Sequence, residues 1–206
     1  MKVILVNGGP HKEGCTNRAL EEVSKTLENN GIETEIFWIG NKAISGCLAC
    51  GGCSKTGKCV IDDKVNEFID KVKECDGFIF GCPVHFASMT GALSSFMDRV
   101  FYGRGNLFAN KVAAGVVSCR RGGATATFDE INKYFFISNM IVVGSQYWNM
   151  VHGNTKEQVE EDEEGLQTMR TLGNNMAWIL KSIEAGRKAG IKLPEKEESI
   201  RTNFIR

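Results

Sequence analysis

Residues 3–17 read VILVNGGPHKEGCTN, and this stretch decides the fold of the chain. The four apolar residues 3–6 predict a short buried strand, residues 7–16 a glycine-rich polar loop, and Asn17 the start of a helix. A strand that ends in such a loop and leads into a helix leaves the first backbone N–H groups of that helix without intrahelical partners. The stretch therefore predicts an anion site at the N-terminus of the first helix.

The spacing inside the loop indicates which anion to expect. Gly9 and Gly14 are separated by four residues, as in a phosphate-binding P-loop, but Cys15 stands where that loop has its lysine. The second strand, near residues 34–39, does not end in the acidic residue that would bind a ribose hydroxyl. A single phosphomonoester, held by backbone N–H groups and by Thr16 and Asn17, fits better than a nucleoside triphosphate or a dinucleotide. The alternative is a glycine-rich turn that caps the helix and binds no ligand.

Composition limits the function classes. The chain has 206 residues, of which 42% are hydrophobic, and 25 basic residues balance 25 acidic ones. This balance gives no reason to expect nucleic acid or a membrane as a partner. Met1 and Lys2 run directly into a strand, so we expect a cytoplasmic protein without a signal peptide. Eight cysteines in such a chain indicate metal or redox chemistry more than a disulfide framework.

Strand and helix patterns alternate along the chain. The expected strands cover residues 3–6, 34–39, 77–81, 111–118 and 140–144, and each is followed by a helical pattern. Asp62 or Asp63 is expected to cap the helix after the second strand. This alternation predicts a doubly wound parallel sheet of five strands with helices on both faces. Ligands bind such sheets at the carboxyl ends of the strands, so the loops at 8–17, 82–88 and 118–123 are expected to converge on one crevice.

The domain organisation follows from the same pattern. Residues 1–190 are expected to form one domain, with a Cys- and Gly-rich loop inserted at residues 41–62. Residues 191–206 form a charged C-terminal tail.

Three segments carry a family resemblance. Residues 7–17 resemble the phosphate loop of flavodoxin-like NAD(P)H-dependent FMN reductases, although His11 stands where an Arg is usual and Cys15 where a small polar residue is common. Residues 82–86 and 95–99 are similar to the second flavin loop of that family and the helix after it. The spacing Cys47-x2-Cys50-x2-Cys53-x5-Cys59 resembles the compact cluster motif of the iron–sulfur flavoproteins within the same superfamily. The resemblance implies a flavodoxin-like sheet with strand order 2-1-3-4-5.

The resemblance also implies FMN as the cofactor and NAD(P)H as a co-substrate. The candidate flavin-binding residues in the three loops are Gly9, Pro10, His11, Cys15, Thr16, Asn17, Pro83, Val84, His85, Phe86, Ser118, Arg120, Arg121, Gly122 and Gly123. Residues 83–86 could form the apolar slot for the flavin ring, or could only pack on the core. Arg120 and Arg121 could stabilise negative charge on the reduced flavin, although paired arginines are often a solvated surface. No catalytic side chain is expected, because the flavin carries the chemistry.

The cysteine loop has three interpretations. Thiolates at x2 spacing can each reach a different iron of a [4Fe-4S] cluster, and Cys47, Cys50, Cys53 and Cys59 are the candidate ligands. Zinc more often uses two separated Cys-x2-Cys pairs, and the cysteines could also be bare thiols. The other cysteines, Cys15, Cys75, Cys82 and Cys119, resemble ordinary small apolar residues.

The resulting hypothesis is an FMN-dependent oxidoreductase. It takes hydride from NAD(P)H and reduces a quinone, a nitro or azo compound, free flavin or a redox protein, with the [4Fe-4S] cluster as one possible route. The alternatives are an electron carrier without turnover of a small molecule, and a metal or redox sensor that works through the cysteine loop. The resemblance further implies a homodimer or homotetramer.

Overall fold

The computed structural model describes residues 1–204, which form six strands and seven α-helices. The strands are β1 (Lys2–Asn7), β2 (Glu33–Trp38), β3 (Gly77–Pro83), β4 (Val112–Cys119), β5 (Ile141–Val142) and β6 (Met150–His152). The helices are α1 (Cys15–Asn29), α2 (Gly52–Thr56), α3 (Lys64–Val72), α4 (Gly91–Arg104), α5 (Ala124–Ile137), α6 (Lys156–Glu161) and α7 (Glu163–Lys188). A short 3-10 helix, Gly105–Leu107, follows α4.

All strand pairs in the sheet are parallel, and the order is β2-β1-β3-β4-β5, with β6 also paired to β4. The predicted order 2-1-3-4-5 is therefore confirmed. The strand order reverses at β1, between β2 and β3, and the loop after β1 lies at this switch point. The carboxyl ends of β1, β3 and β4 lie side by side at one edge, which is where ligands bind in this class of sheet.

Each face of the sheet buries its own apolar core. On one face, α1 and α7 pack on residues such as Val3, Leu5 and Ile79. On the other face, α3, α4 and α5 pack on Ile4, Phe80 and their neighbours. Because the central strands are covered on both sides, β1 and β3 read as continuous apolar runs rather than alternating ones.

The sheet edge beyond β4 differs from the prediction of a single strand at residues 140–144. That edge is split: β5 pairs with the start of β4, and β6 pairs with its end. Asn149 bridges the gap between β5 and β6. Its side-chain Nδ2 donates to the Gly115 carbonyl at 3.1 Å, and its backbone carbonyl accepts from Val117 N–H at 2.9 Å. β6 has three residues, which is too short to give a pattern in the sequence.

The inserted segment at residues 41–62 also contains an element that the sequence did not indicate. The five residues of α2 lie between Gly51 and Gly57, which both have left-handed backbone conformations (φ 69° and 83°). Asp63 caps α3 as expected, and its carboxylate accepts from Val65 N–H at 3.0 Å.

The C-terminal tail is exposed and has no helix or strand over residues 191–204. Residues 205 and 206 of the expected tail lie outside the described residues, and the division into domain and tail stays a prediction. Within residues 1–204, no helix is long and apolar enough to cross a membrane.

Candidate functional site

The first loop is wrapped around one buried amide, that of Asn7 at the end of β1. Its Oδ1 accepts from Gly9 N–H at 2.9 Å. Its Nδ2 donates to the Lys12 carbonyl at 3.2 Å and to Asn17 Oδ1 at 3.3 Å. A single side chain thus fixes both ends of the loop, and its donors and acceptor are all in use.

The N-terminus of α1 carries unused backbone donors. Gly14 is the N-cap and supplies no side-chain hydrogen bond, and the bond from Arg18 N–H to the Gly14 carbonyl (3.0 Å) closes the first turn. The N–H groups of residues 15–17 lie before this first intrahelical bond, so they have no partner within the helix. Together with the helix dipole, they make this end of α1 favourable for an anion.

The three loops at the carboxyl edge of the sheet line one open pocket. Its lining consists of Gly9, Pro10, His11, Gly14, Cys15, Thr16, Pro83, Val84, His85, Ser118, Cys119, Arg120, Gly153 and Asn154. The Thr16 and Ser118 hydroxyls, both buried, lie 2.8 Å apart and tie the first loop to the third. We refer to this space as the loop pocket.

A second, wider opening adjoins the loop pocket. It shares Val84, Cys119 and Arg120 with that pocket and adds Phe86, Ala87, Arg121 and Gly122. The structure therefore brings together all the predicted flavin-site residues except Asn17 and Gly123, which are packed behind the two surfaces. Asn17 is bonded to Asn7 and, through Nδ2, to Glu21 at 2.7 Å.

Several lining residues were missed by the sequence interpretation. They are Gly14, Ala87, Gly153 and Asn154, together with Cys119, which was interpreted only as a small apolar residue. Gly14 and Ala87 lie inside predicted loops and could have been included. Gly153 and Asn154 follow β6, so no signal identified them once that strand was missed.

The second loop contains a strained turn. His85 and Ser88 pair through two backbone hydrogen bonds of 2.9 and 3.0 Å, and the residues between them, Phe86 and Ala87, both have positive φ (51° and 59°). Residues other than Gly, Asn and Asp rarely adopt this conformation. Glu130 holds it, because its carboxylate accepts from Ser88 Oγ at 2.7 Å and from Met89 N–H at 2.9 Å. The turn leaves Phe86 fully exposed beside the pocket, and strain of this kind is typical of ligand-binding loops.

The four candidate cluster cysteines lie around another pocket, which we call the cysteine pocket. It is lined by Cys47, Leu48, Cys50, Gly51, Cys53, Cys59, Val60, Ile61, Arg99 and Tyr102. Within residues 1–204, no group of three or more His, Cys, Asp or Glu side chains is gathered around one point for a single metal ion. A cubane cluster does not need such a gathering, since each thiolate binds a different iron.

Cys59 is the most firmly held of these cysteines. Asn66 accepts from Cys59 N–H at 2.8 Å and donates to its carbonyl at 2.9 Å. Arg99 donates to the Cys59 sulfur from Nε at 3.3 Å and from Nη2 at 3.2 Å. Burial by itself lowers the pKa of Arg99, but its hydrogen bonds to Asp63 and Cys59 outweigh that effect and raise the pKa, so the guanidinium stays charged.

The remaining cysteines agree with their interpretation as small apolar residues. Cys75, Cys82 and Cys119 are buried, and Cys15 is half-buried. Burial raises the pKa of the Cys82 thiol to about 12 and also raises the pKa values of the Cys15 and Cys119 thiols. Thiols in this state are poor nucleophiles near neutral pH.

Cys47 and Cys50 are exposed, whereas Cys82 is buried and its thiol pKa is raised, and this difference predicts selective alkylation. At pH 8, a thiol with a pKa of about 12 is roughly one part in 10⁴ thiolate. We expect iodoacetamide to modify the exposed Cys47 and Cys50 of the iron-free protein at least about 100-fold faster than Cys82. Peptide mass mapping over time measures the rates, and protein unfolded in urea, in which all eight cysteines should react, is the control. Comparable rates for Cys82 and Cys47 in the folded protein would contradict the prediction.

Comparisons with known proteins agree with this arrangement. The sequence model of the NADPH-dependent FMN reductase family matches residues 1–155. An iron–sulfur flavoprotein of Methanocaldococcus jannaschii is 37% identical over 192 residues, covering 89% of this chain and 100% of that protein. One from Methanosarcina thermophila is 31% identical over 191 residues, covering 91% and 99%.

Solved structures share the fold at lower identity. RosB with a bound riboflavin-phosphate intermediate has a TM-score of 0.70 and 15% identity, and the match covers 100% of this chain and 92% of that one. An archaeal flavodoxin has a TM-score of 0.61 and 18% identity, and the match covers 88% and 99%. The sheet is thus flavodoxin-like. Because the family model matches residues 1–155, which include all three loops, the chain belongs to the NADPH-dependent FMN reductase family.

Proposed function

We propose that this chain is an FMN-dependent oxidoreductase that takes hydride from NADH or NADPH and delivers electrons to a second acceptor. The observation that carries the proposal is the loop pocket, in which the loops after β1, β3 and β4 meet at the switch point of the sheet. A site with free helix N–H groups at one end and apolar side chains at the other suits a phosphorylated aromatic cofactor.

The residues of the loop pocket fit FMN. The N–H groups of residues 15–17 bind the phosphate, and the Thr16 hydroxyl lies beside them. Pro83, Val84 and His85 supply the apolar wall, while Arg120 provides a positive charge at the third loop. FMN itself supplies the position that accepts hydride. The wide opening beside Phe86 leaves access for the nicotinamide and for the acceptor.

The cysteine pocket fits a [4Fe-4S] cluster, with Cys47, Cys50, Cys53 and Cys59 as its ligands. Four sulfur donors surround a largely apolar space, and the Cys59 sulfur already accepts hydrogen bonds as cluster-bound thiolates do. Such a cluster supplies one-electron transfer. The names of the two archaeal relatives, both iron–sulfur flavoproteins, support this choice over zinc or bare thiols.

The first test is the composition of protein purified without oxygen. We expect flavin absorbance bands with a broad visible shoulder, close to one FMN per chain, and about four iron and four sulfide per chain. Flavin without iron or sulfide would remove the cluster from the proposal. Failure to bind added FMN would overturn the proposal as a whole.

The acceptor defines two versions of the function. A quinone, a nitro or azo compound or free flavin would give steady NAD(P)H consumption. The second candidate is an electron carrier that exchanges electrons only with a redox protein, and the cysteine pocket, which is open to solvent at Cys47 and Cys50, favours it. Consumption of NAD(P)H with small acceptors distinguishes the two. A Cys50→Ser variant tests the third alternative, a metal or redox sensor that works through the cysteine loop. If the variant consumed NAD(P)H at the native rate, the cysteine loop would have no part in catalysis.

We also propose that the protein acts in the cytoplasm as a homodimer or homotetramer. Large apolar side chains on its surface support association, with Trp178 70%, Tyr147 53% and Trp148 49% exposed. Sedimentation analysis measures the oligomeric state directly.

A further inference from the structure

Arg99 lies in α4, and its side chain is only 1% exposed. A charged side chain is buried this deeply only when its donors are satisfied. Its Nη1 and Nη2 bind the two oxygens of Asp63 at 2.6 and 2.9 Å. Nη1 also reaches the Ser45 carbonyl at 3.4 Å, and Nη2 the Ile61 carbonyl at 2.9 Å. The guanidinium thus ties three points of residues 41–63, which we call the cysteine segment, to one rigid helix.

The remaining contacts of Arg99 are to sulfur. Nε and Nη2 approach Cys59 Sγ at 3.3 and 3.2 Å, so two N–H groups of one planar group bind the same atom. A guanidinium is rigid, and this fork fixes the direction from which the sulfur can be approached. With Asn66 bound to its backbone N–H and carbonyl, Cys59 is held at three atoms.

The other three cysteines are held less firmly. Cys47 and Cys50 are exposed and lie in a stretch without helix or strand, and Cys53 is half-buried in the five-residue helix α2. The Cys47 sulfur accepts a hydrogen bond from within its own loop, from Ala49 N–H at 3.4 Å. Cys59 is therefore the fixed corner of the cysteine pocket.

We propose that Arg99 is a positioning residue that fixes Cys59 as a cluster ligand and raises the reduction potential of the cluster. This inference rests on the proposed function, because it requires the [4Fe-4S] cluster. Hydrogen bonds to ligand sulfur stabilise the more negative, reduced form of a cluster and so raise its potential. Asp63 balances the charge of Arg99. The two N–H bonds to sulfur, and not a net positive charge, are therefore the main reason for the higher reduction potential.

The test compares Arg99→Lys with Arg104→Lys in the anaerobically purified full-length protein. Lysine at position 99 keeps the charge but cannot form the fork to Cys59. Arg104 is the matched control, because it lies in the same helix and holds the same segment, through Nε to the Gly57 carbonyl at 2.8 Å, without touching sulfur. The readouts are iron and sulfide content and a redox titration followed by the electron paramagnetic resonance signal of the reduced cluster.

We expect Arg99→Lys to bind iron with a lower midpoint potential. At the potential that half-reduces the native cluster, its ratio of reduced to oxidised cluster should fall about tenfold, which is a shift of about 59 mV for one electron. Loss of iron from this variant with full loading of Arg104→Lys also supports the positioning role. An unchanged potential at full iron content, or an equal shift in Arg104→Lys, would overturn the inference.

A second variant covers the case in which Arg99→Lys fails to fold. Asp63→Asn keeps an acceptor for Val65 N–H but removes the charge that balances Arg99. The uncompensated guanidinium should then raise the midpoint potential, opposite to the effect of Arg99→Lys. No shift here would contradict a role of Arg99 at the cluster. Absence of iron and sulfide from the native protein is a separate result, which removes the cluster from the proposed function.

Discussion

Asn7→Asp is expected to lower the affinity of the protein for FMN by about 100-fold or more. The carboxylate cannot donate to the part-buried Lys12 carbonyl or to the buried Asn17 Oδ1, so both acceptors lose their partner. Leaving a buried acceptor such as Asn17 Oδ1 unsatisfied costs about 1–3 kcal/mol. The new charge also lies at the edge of the proposed phosphate site, where Asn7 is fully buried and solvent screens little. A loss of about 3 kcal/mol in binding corresponds to roughly 100-fold in affinity.

Asn149→Asp is the matched control for this prediction. Asn149, directly before β6, is also a buried asparagine. Its Nδ2 donates to the Gly115 carbonyl, and its Oδ1 accepts from Ser145 Oγ. Its substitution should cost comparable stability but change FMN affinity by less than about threefold, because its side chain makes no hydrogen bond to the first loop. Flavin fluorescence titration gives the affinities, and circular dichroism verifies folding. Equal losses in both variants would mean that Asn7 acts through general stability, not through the phosphate loop.

The elements that the sequence predicted well are those with strong local patterns. The apolar run at the start of β1, the glycines after it and the helical spacing of α1 all lie within one stretch, so local preference and tertiary structure agree there. The same holds for the cap at Asp63. The convergence of three loops also followed, because parallel strands in a doubly wound sheet place their carboxyl ends at one edge.

What the sequence could not predict depends on contacts between distant residues. β6 exists because Asn149 and β4 meet across more than thirty positions, and three residues carry no periodic signal. The positive-φ turn at Phe86 and Ala87 had no local signal, because Glu130 holds it through Ser88, which lies 42 positions earlier. The burial of Arg99 had no local signal, because its partners Asp63 and Cys59 lie 36 and 40 positions earlier.

The largest expected effect on folding is that of Asp63→Ala, with a loss of about 3 kcal/mol in the free energy of unfolding. The change removes the cap of α3, which is worth about 1 kcal/mol. It also leaves the buried Arg99 guanidinium without its carboxylate, and breaking a buried pair costs about 3–5 kcal/mol. Because the Asp63 side chain is 28% exposed, water can partly replace its carboxylate beside Arg99. The total loss therefore stays near about 3 kcal/mol, the lower end of the range for a buried pair.

Asp70→Ala provides the comparison in the same helix. Asp70 pairs with Lys58 at 2.8 Å, but both side chains are more than half exposed (58% and 56%), so its loss should change the free energy of unfolding far less than Asp63→Ala does. Urea unfolding of the iron-free protein, followed by circular dichroism, measures both values without a contribution from any bound cluster. Asp63→Asn should fall between the two, since asparagine still caps the helix and still accepts one hydrogen bond from Arg99. If Asp63→Ala and Asp70→Ala proved equally mild, the guanidinium would have to be satisfied by the Ile61 and Ser45 carbonyls and the Cys59 sulfur. The ion pair would then not be what fixes the cysteine segment to α4.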